Sequence, residues 1–218
     1  MLQLYYNRIS NNARRVWITL LEKQLDFELI ELKLNGDQFQ PDFLALNPFH
    51  HVPVLIDNDF KVIESFAILD YLEAKYPSPP LMPKDAEAIA KVKMVQMVNL
   101  NELMPSFFPL LKNMVGLEVD RKQISQAQQK VATVLNFYEQ QLNGSFFIDN
   151  QFTLADIVAG ASVSFLSQVN ISLDDYPQVK TWLEGLKNRE SWHQTTPTPE
   201  EIAAAHAKIK AILQKAAH

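Results

Sequence analysis

The sequence predicts a two-part chain, an α/β half followed by an all-helical half. Three observations predict it. Strand-like and helix-like patterns alternate through residues 1–77. Four prolines crowd the seven residues Pro77–Pro83. Everything after them is apolar at helical spacing. These assign 1–77 to an α/β domain, 78–86 to a stiff proline-rich linker and 87–218 to a helical bundle domain.

Leu2–Tyr6 is a short apolar strand, followed by the polar loop Asn7–Asn12. Ala13, Val16, Trp17, Leu20 and Leu21 recur at spacings of three and four, which predicts a helix. Phe27–Leu34 reads as a second strand, Asn35-Gly36-Asp37 as a turn and Asp42–Leu46 as a short helix. Asn47-Pro48 is another turn signal. The strand Val52-Pro53-Val54-Leu55-Ile56 carries a proline that cannot donate a ladder hydrogen bond, so Pro53 belongs at a strand start or edge. Asp57-Asn58-Asp59 closes a hairpin with Phe60–Ile63. Ser65 is then the expected N-cap of a helix with Ile68, Leu69, Leu72 and Tyr76 on one face, stopped by Pro77.

In the second half, residues 86–115 are helical with a break expected near Pro105, and Val119–Leu142 forms a second long helix ended by Asn143-Gly144. Thr153 and Asp156 are spaced as a capping box, and Phe152 and Ile157 as a hydrophobic staple. Further helices are expected over Pro177–Arg189 and Pro199–Ala216.

The composition narrows the function. Apolar residues make up 47% of 218, enough for real cores. A net charge of −5 gives no electrostatic case for nucleic acid. No apolar run approaches the roughly 20 residues of a membrane span. Met1–Arg8 lacks a basic stretch followed by an apolar one, so no signal peptide is read and a cytoplasmic location is expected. There is no cysteine, which excludes disulfides, thiolate metal sites and a cysteine nucleophile. Any thiol in the chemistry belongs to a ligand. His50-His51 lacks further ligands for a metal site, so none is expected.

Two patterns carry a resemblance. Asn47-Pro48 leads to Val52-Pro53, and after the hairpin comes Glu64-Ser65-x-Ala67-Ile68. In this order, with Phe152–Ile157 and Tyr176–Trp182 downstream, the chain resembles the cytosolic glutathione S-transferase family. Ser10-x-x-Ala13-Arg14-Arg15-Val16 is similar to the motif of its serine classes, closest to phi-like, theta-like or bacterial members. The resemblance implies a thioredoxin-like first domain, Pro53 in the cis form and a homodimer. It implies glutathione as substrate rather than cofactor, and a small, mainly apolar electrophile as its partner. Thiol conjugation is the expected reaction, and glutathione-dependent peroxide reduction a second one.

The same resemblance suggests site residues. Ser10 would donate a hydrogen bond that favours the thiolate, with Tyr5 and Tyr6 as runners-up. Read as structure alone, Ser10 caps a helix, worth about 1 kcal/mol, and the tyrosines pack a strand. Val52 would pair its backbone with the peptide, preceded by His51 and followed by Pro53. Glu64 and Ser65 would hold the γ-glutamyl end. Gln38 stands where relatives carry a basic grip on the glycyl end. Met104, Phe107 and Phe108 suit an adaptable pocket for the second substrate, or a bundle core. Arg14 and Arg15 add positive potential beside Ser10, or are solvated. Two rival readings remain: a binding or regulatory module that kept the fold without the activity, and a glutathione-dependent isomerase.

Overall fold

A computed structural model of the chain describes residues 1–215, so the end of the helix expected to reach Ala216 lies outside the described residues. By packing, the chain forms two units. One is Met1–Leu81 together with Glu190–Pro197; the other is Met82–Arg189 with the chain from Thr198 onward.

The first unit is the expected α/β layer structure. Its strands are β1 (Leu2–Tyr6), β2 (Phe27–Glu31), β3 (Val54–Asp57) and β4 (Phe60–Ile63), in sheet order β2-β1-β3-β4. β2 runs parallel to β1, while β3 is antiparallel to both β1 and β4. Its helices are α1 (Asn11–Glu22), α2 (Pro41–Leu46) and α3 (Ser65–Lys75). Residue alternation sends Leu4 and Leu55 into a fully buried core that also takes Val16 and Leu20 of α1 and Ile68 and Leu72 of α3. Tyr5 points the other way and packs with Phe43 of α2, Leu32, Val52 and Val54.

One feature departs from sequence expectation. Ser65 is the first helical residue of α3, not its cap. Glu64 holds the cap position, with φ 67°, ψ 118° and no side-chain cap bond. The Val52–Pro53 peptide is cis, as the resemblance implies, and lies just before β3. Residues 78–81 belong to the first unit, where buried Lys23 donates to the carbonyls of Tyr76 (2.8 Å) and Pro79 (3.1 Å) and pairs with Glu73 at 2.6 Å. The Glu73 carboxylate in turn accepts the Leu81 N–H.

The second unit is helical: α4 (Ala86–Val98), α5 (Met104–Met114), α6 (Arg121–Gln141), α7 (Leu154–Leu166), α8 (Pro177–Lys187) and α10 (Pro199–Lys215). α4 and α5 are joined by a π-helical turn, Asn99–Leu103, so the irregularity precedes Pro105. Proline lacks an N–H and its ring crowds the carbonyl four residues back, which here is Asn101 inside that turn. α7 is the buried centre, with every residue from Leu154 to Val163 out of solvent. Its capping box forms as the spacing predicts, with Thr153 as cap and Asp156 reaching back. Among the described residues no helix is long and apolar enough to cross a membrane.

The remaining helix, α9 (Glu190–Thr195), packs on α1 in the first unit. Nothing in the sequence reading anticipated it.

Candidate functional site

The sheet brings the candidate residues to one end. Tyr5 of β1 lies opposite Val54, and Val54 opposite Ile63 of β4. The carboxyl ends of β1, β2 and β4 and the amino end of β3 therefore coincide. Ser10 follows β1, Gln38 follows β2, His51–Pro53 precede β3, and Glu64–Ser65 follow β4.

Ser10 is the N-cap of α1, with an extended backbone (φ −76°, ψ 112°). Its oxygen accepts from the Ala13 N–H at 3.3 Å. The hydroxyl proton is committed to no group among the described residues and is free to donate. The loop that carries it is organised by Asn7, whose role the sequence reading missed. Asn7 is buried; its Nδ2 donates to the Leu32 carbonyl at 2.7 Å and its Oδ1 accepts from Ile9 N. Its backbone carbonyl accepts the Ser10 N–H at 3.0 Å. Both tyrosine rings are engaged in packing. Tyr5 lies 6.1 Å from the Phe43 ring, and Tyr6 meets the Trp17 indole edge-on at 5.1 Å.

Val52 is side-chain buried, yet its backbone N–H and C=O bond to nothing among the described residues. Buried backbone groups are almost always paired, so an unpaired strand-like residue at a sheet end is an opening for an added extended segment. The preceding loop is clasped by Asn47, a second missed residue: its Nδ2 donates to the His51 carbonyl (2.8 Å) and its Oδ1 accepts from Phe49 N (3.0 Å). The Asn-Pro signal announced a turn but not this clasp. His51 itself is exposed, its ring edge-on to His50 at 5.2 Å.

At α3, Ser65 is 5% exposed and its hydroxyl makes no hydrogen bond among the described residues. It stands at a helix start, where unpaired N–H groups and the helix dipole favour an anion. Glu64 beside it is exposed and holds a positive φ, a conformation that costs a non-glycine residue of order 1–3 kcal/mol. Gln38 is half-buried and turned back on its own loop. Its Oε1 accepts from Gly36 N at 3.1 Å, which leaves only its NH2 to act outward.

Neither arginine of α1 is solvated. Arg15 is fully buried, its guanidinium 4.9 Å from the Phe66 ring. Arg14 is 7% exposed and bonded to Thr195 and Thr196. Burial, helped by the nearby Arg8 charge, lowers its pKa to about 10, so it stays charged at neutral pH.

In the second unit, neighbouring positions on α5 diverge by roughly 100°. Phe107 turns inward against Phe165 of α7, 4.9 Å between rings. Phe108 is 57% exposed and lines a cleft of about 500 Å³ between α5 and α6, with Lys112 5.6 Å over its ring. Met104, at the start of α5, is half-buried. No group of three metal-ligating side chains exists among the described residues.

Residues 4–80 match the family model described as "Glutathione S-transferase, N-terminal domain", and residues 69–190 the one described as "Glutathione S-transferase, C-terminal domain". Glutathione S-transferase F10 of Arabidopsis thaliana is 31% identical over 209 residues, covering 90% of this chain and 97% of its own. Glutathione S-transferase 3 of Zea mays is 34% identical, covering 89% and 92%. Among solved structures, a delta-class glutathione transferase of Nilaparvata lugens superposes with a TM-score of 0.82 at 28% identity, covering 97% of this chain and 99% of that one. Glutathione transferase F7 of Populus trichocarpa gives 0.79 at 28%, covering 89% and 97%. Both halves of the fold, in order and across nearly the whole length, agree with these relatives, and the chain belongs to the glutathione S-transferase family.

Proposed function

We propose that this protein is a glutathione transferase in which Ser10 activates the thiol of bound glutathione for attack on a small, mainly apolar electrophile. The observation that carries the reading is the Ser10 hydroxyl. Its oxygen is held by the Ala13 N–H while its proton is committed to no group among the described residues, at a helix start. A thiol with an ordinary pKa near 8.5 is mostly protonated at neutral pH. A hydroxyl donor and the positive end of α1 both favour the thiolate. Attack forms the carbon–sulfur bond, the leaving group or addition site takes the electron pair, and the thiol proton goes to solvent. Holding the thiolate against the electrophile supplies the remaining acceleration.

The rest of glutathione would bind along the same end of the sheet. Val52 would pair its free N–H and C=O with the cysteinyl backbone beside Pro53. The α3 N-terminus and the Ser65 hydroxyl would take the γ-glutamyl carboxylate, with Glu64 on the ammonium side. His51 and the Gln38 NH2 would face the glycyl carboxylate. Met104 and Phe108 would contribute to the electrophile's pocket, together with Phe107 on the same helix. Glutathione serves as substrate and no resident cofactor takes part. Family membership supports a homodimer working in the cytoplasm, and glutathione-dependent peroxide reduction as a second reaction.

Ultraviolet titration of the protein with glutathione near neutral pH tests the reading. A saturable thiolate absorbance is expected. Its absence at high glutathione would instead favour a binding module without the activity.

A further inference from the structure

From the contacts of α9 we infer that Arg8 and Arg14, docked on the carboxyl end of α9, are positioning residues for Ser10, so that this late segment is a working part of the thiol-activating site. The inference rests on the reading of Ser10 given above.

The loop and first turn around Ser10 are held by few bonds of their own. Asn7 fixes the near side through Leu32, Ile9 and Ser10 N. The far side is fixed by α9. Arg8, two residues before Ser10, donates to the carbonyls of Gln194 (2.9 Å) and Thr196 (3.1 Å), with its guanidinium 5.0 Å over the Trp17 ring. Arg14, one helical turn after Ser10, donates through Nε to Thr195 Oγ1 (3.3 Å) and through a terminal nitrogen to Thr196 Oγ1 (2.8 Å). Its own N–H donates to the Ser10 carbonyl at 2.8 Å. The serine is thus bracketed by two guanidinium groups, both anchored to residues 194–196.

The chemistry of the anchor makes it directional. Thr195 Oγ1 donates to the Ser191 carbonyl and Thr196 Oγ1 to the Trp192 carbonyl, each at 2.7 Å. Their protons are therefore spent inside α9, and toward Arg14 both oxygens act only as acceptors. Two cations at the carboxyl end of a helix also match its dipole. At the other end of α1, Ser191 Oγ donates to Glu22, so α9 grips α1 at both ends. A planar, five-donor fork fixes both distance and orientation, which a single lysine cannot do. Small displacements of a catalytic group are costly: about 1 Å can lose on the order of 100-fold in rate.

The test uses the full-length protein. Thr196 is exposed, so Thr196→Val removes one acceptor without disturbing the core. We expect kcat for conjugation to fall by about tenfold while KM for glutathione changes less than about threefold, because Ser10 moves but the peptide's other contacts do not. The bound thiolate should also appear at higher pH. Thr196→Ser keeps the acceptor and should restore both readouts; Arg14→Ala should exceed Thr196→Val. A folded Thr196→Val protein with unchanged kcat and thiolate midpoint would overturn the inference and leave α9 a stabilising brace only. Ser10→Ala separates the two levels. If that variant loses the thiolate and Thr196→Val does not, only the positioning role falls. If Ser10→Ala keeps the thiolate, the reading beneath falls and takes this inference with it.

Discussion

The indole N–H of Trp182 donates to Oδ1 of Asp156 across 3.0 Å, tying α8 to the start of α7. The same carboxylate accepts from Thr153 N (2.9 Å), Thr153 Oγ1 (3.0 Å) and Phe147 N (3.2 Å). Asp156, Thr153 and Phe147 are completely buried, so none of these donors has water as a substitute. Asp156→Ala strands all of them at about 1–3 kcal/mol each and should cost at least about 4 kcal/mol in urea unfolding. Trp182→Phe should cost less, since it removes one donor and leaves the box intact. Equal losses in the two variants would mean that packing, not the carboxylate, dominates.

Two carboxylates should impose opposite pH dependences. Burial raises Asp156 to about 6, against the hydrogen bonds from Thr153, Trp182 and Phe147 that pull it down. Between about pH 4 and 6 the folded state therefore binds more protons than the unfolded one, and stability falls as pH rises through that window. At Asp57 burial also raises the pKa, but hydrogen bonds from Lys75, Tyr76 and Tyr71 outweigh it and the net shift is downward. Its contribution is present above the usual carboxylate range and is lost as pH falls through the lowered value. Denaturant midpoints measured across pH in Asp57→Asn and Asp156→Asn should separate them. The first variant should lose part of the acid-side drop, the second the fall between about pH 4 and 6.

Local signals made much of this legible. β1 spans the residues that its apolar run predicts, and the Thr153–Asp156 box forms because both partners lie three residues apart. The failures have a common cause. α9 has six residues and owes its place to Arg8, Arg14 and Glu22, all far away in sequence, so no periodicity could announce it. Ser65 looked like a cap because serine usually is one. The chain instead spends a strained Glu64 at that position, and no propensity rule predicts a strained residue. Asn7 reads as loop polarity and Asn47 as half of a turn signal, while their clasps depend on Leu32 and on the His51 carbonyl. The candidate site was legible as a set of motifs; that they share one end of the sheet required the strand order.

Ser10→Ala should separate capping from chemistry. Loss of the cap bond to Ala13 should lower stability by about 1 kcal/mol. Loss of a donor aimed at a developing or resting anion typically costs on the order of 100-fold in kcat. Glutathione affinity, which the proposed binding mode assigns to Val52 and the α3 start, should change only a few-fold. Ser10→Thr keeps the hydroxyl and should retain most activity. Near-normal turnover in Ser10→Ala would move the activating role to Tyr5 or Tyr6.

Ser65→Ala should behave in the opposite sense. The Ser65 hydroxyl caps nothing and bonds to no group among the described residues, so the folded state loses little when it is removed. If a γ-glutamyl carboxylate sits at the α3 N-terminus, that hydroxyl donates to a charged acceptor, a bond worth about 1.5 kcal/mol or more. Glutathione affinity should then drop about tenfold with an unchanged unfolding midpoint. Isothermal titration and thermal melts of the same preparation check both arms. A lowered melting temperature with unchanged affinity would return Ser65 to a purely structural role and remove the α3 start from the site.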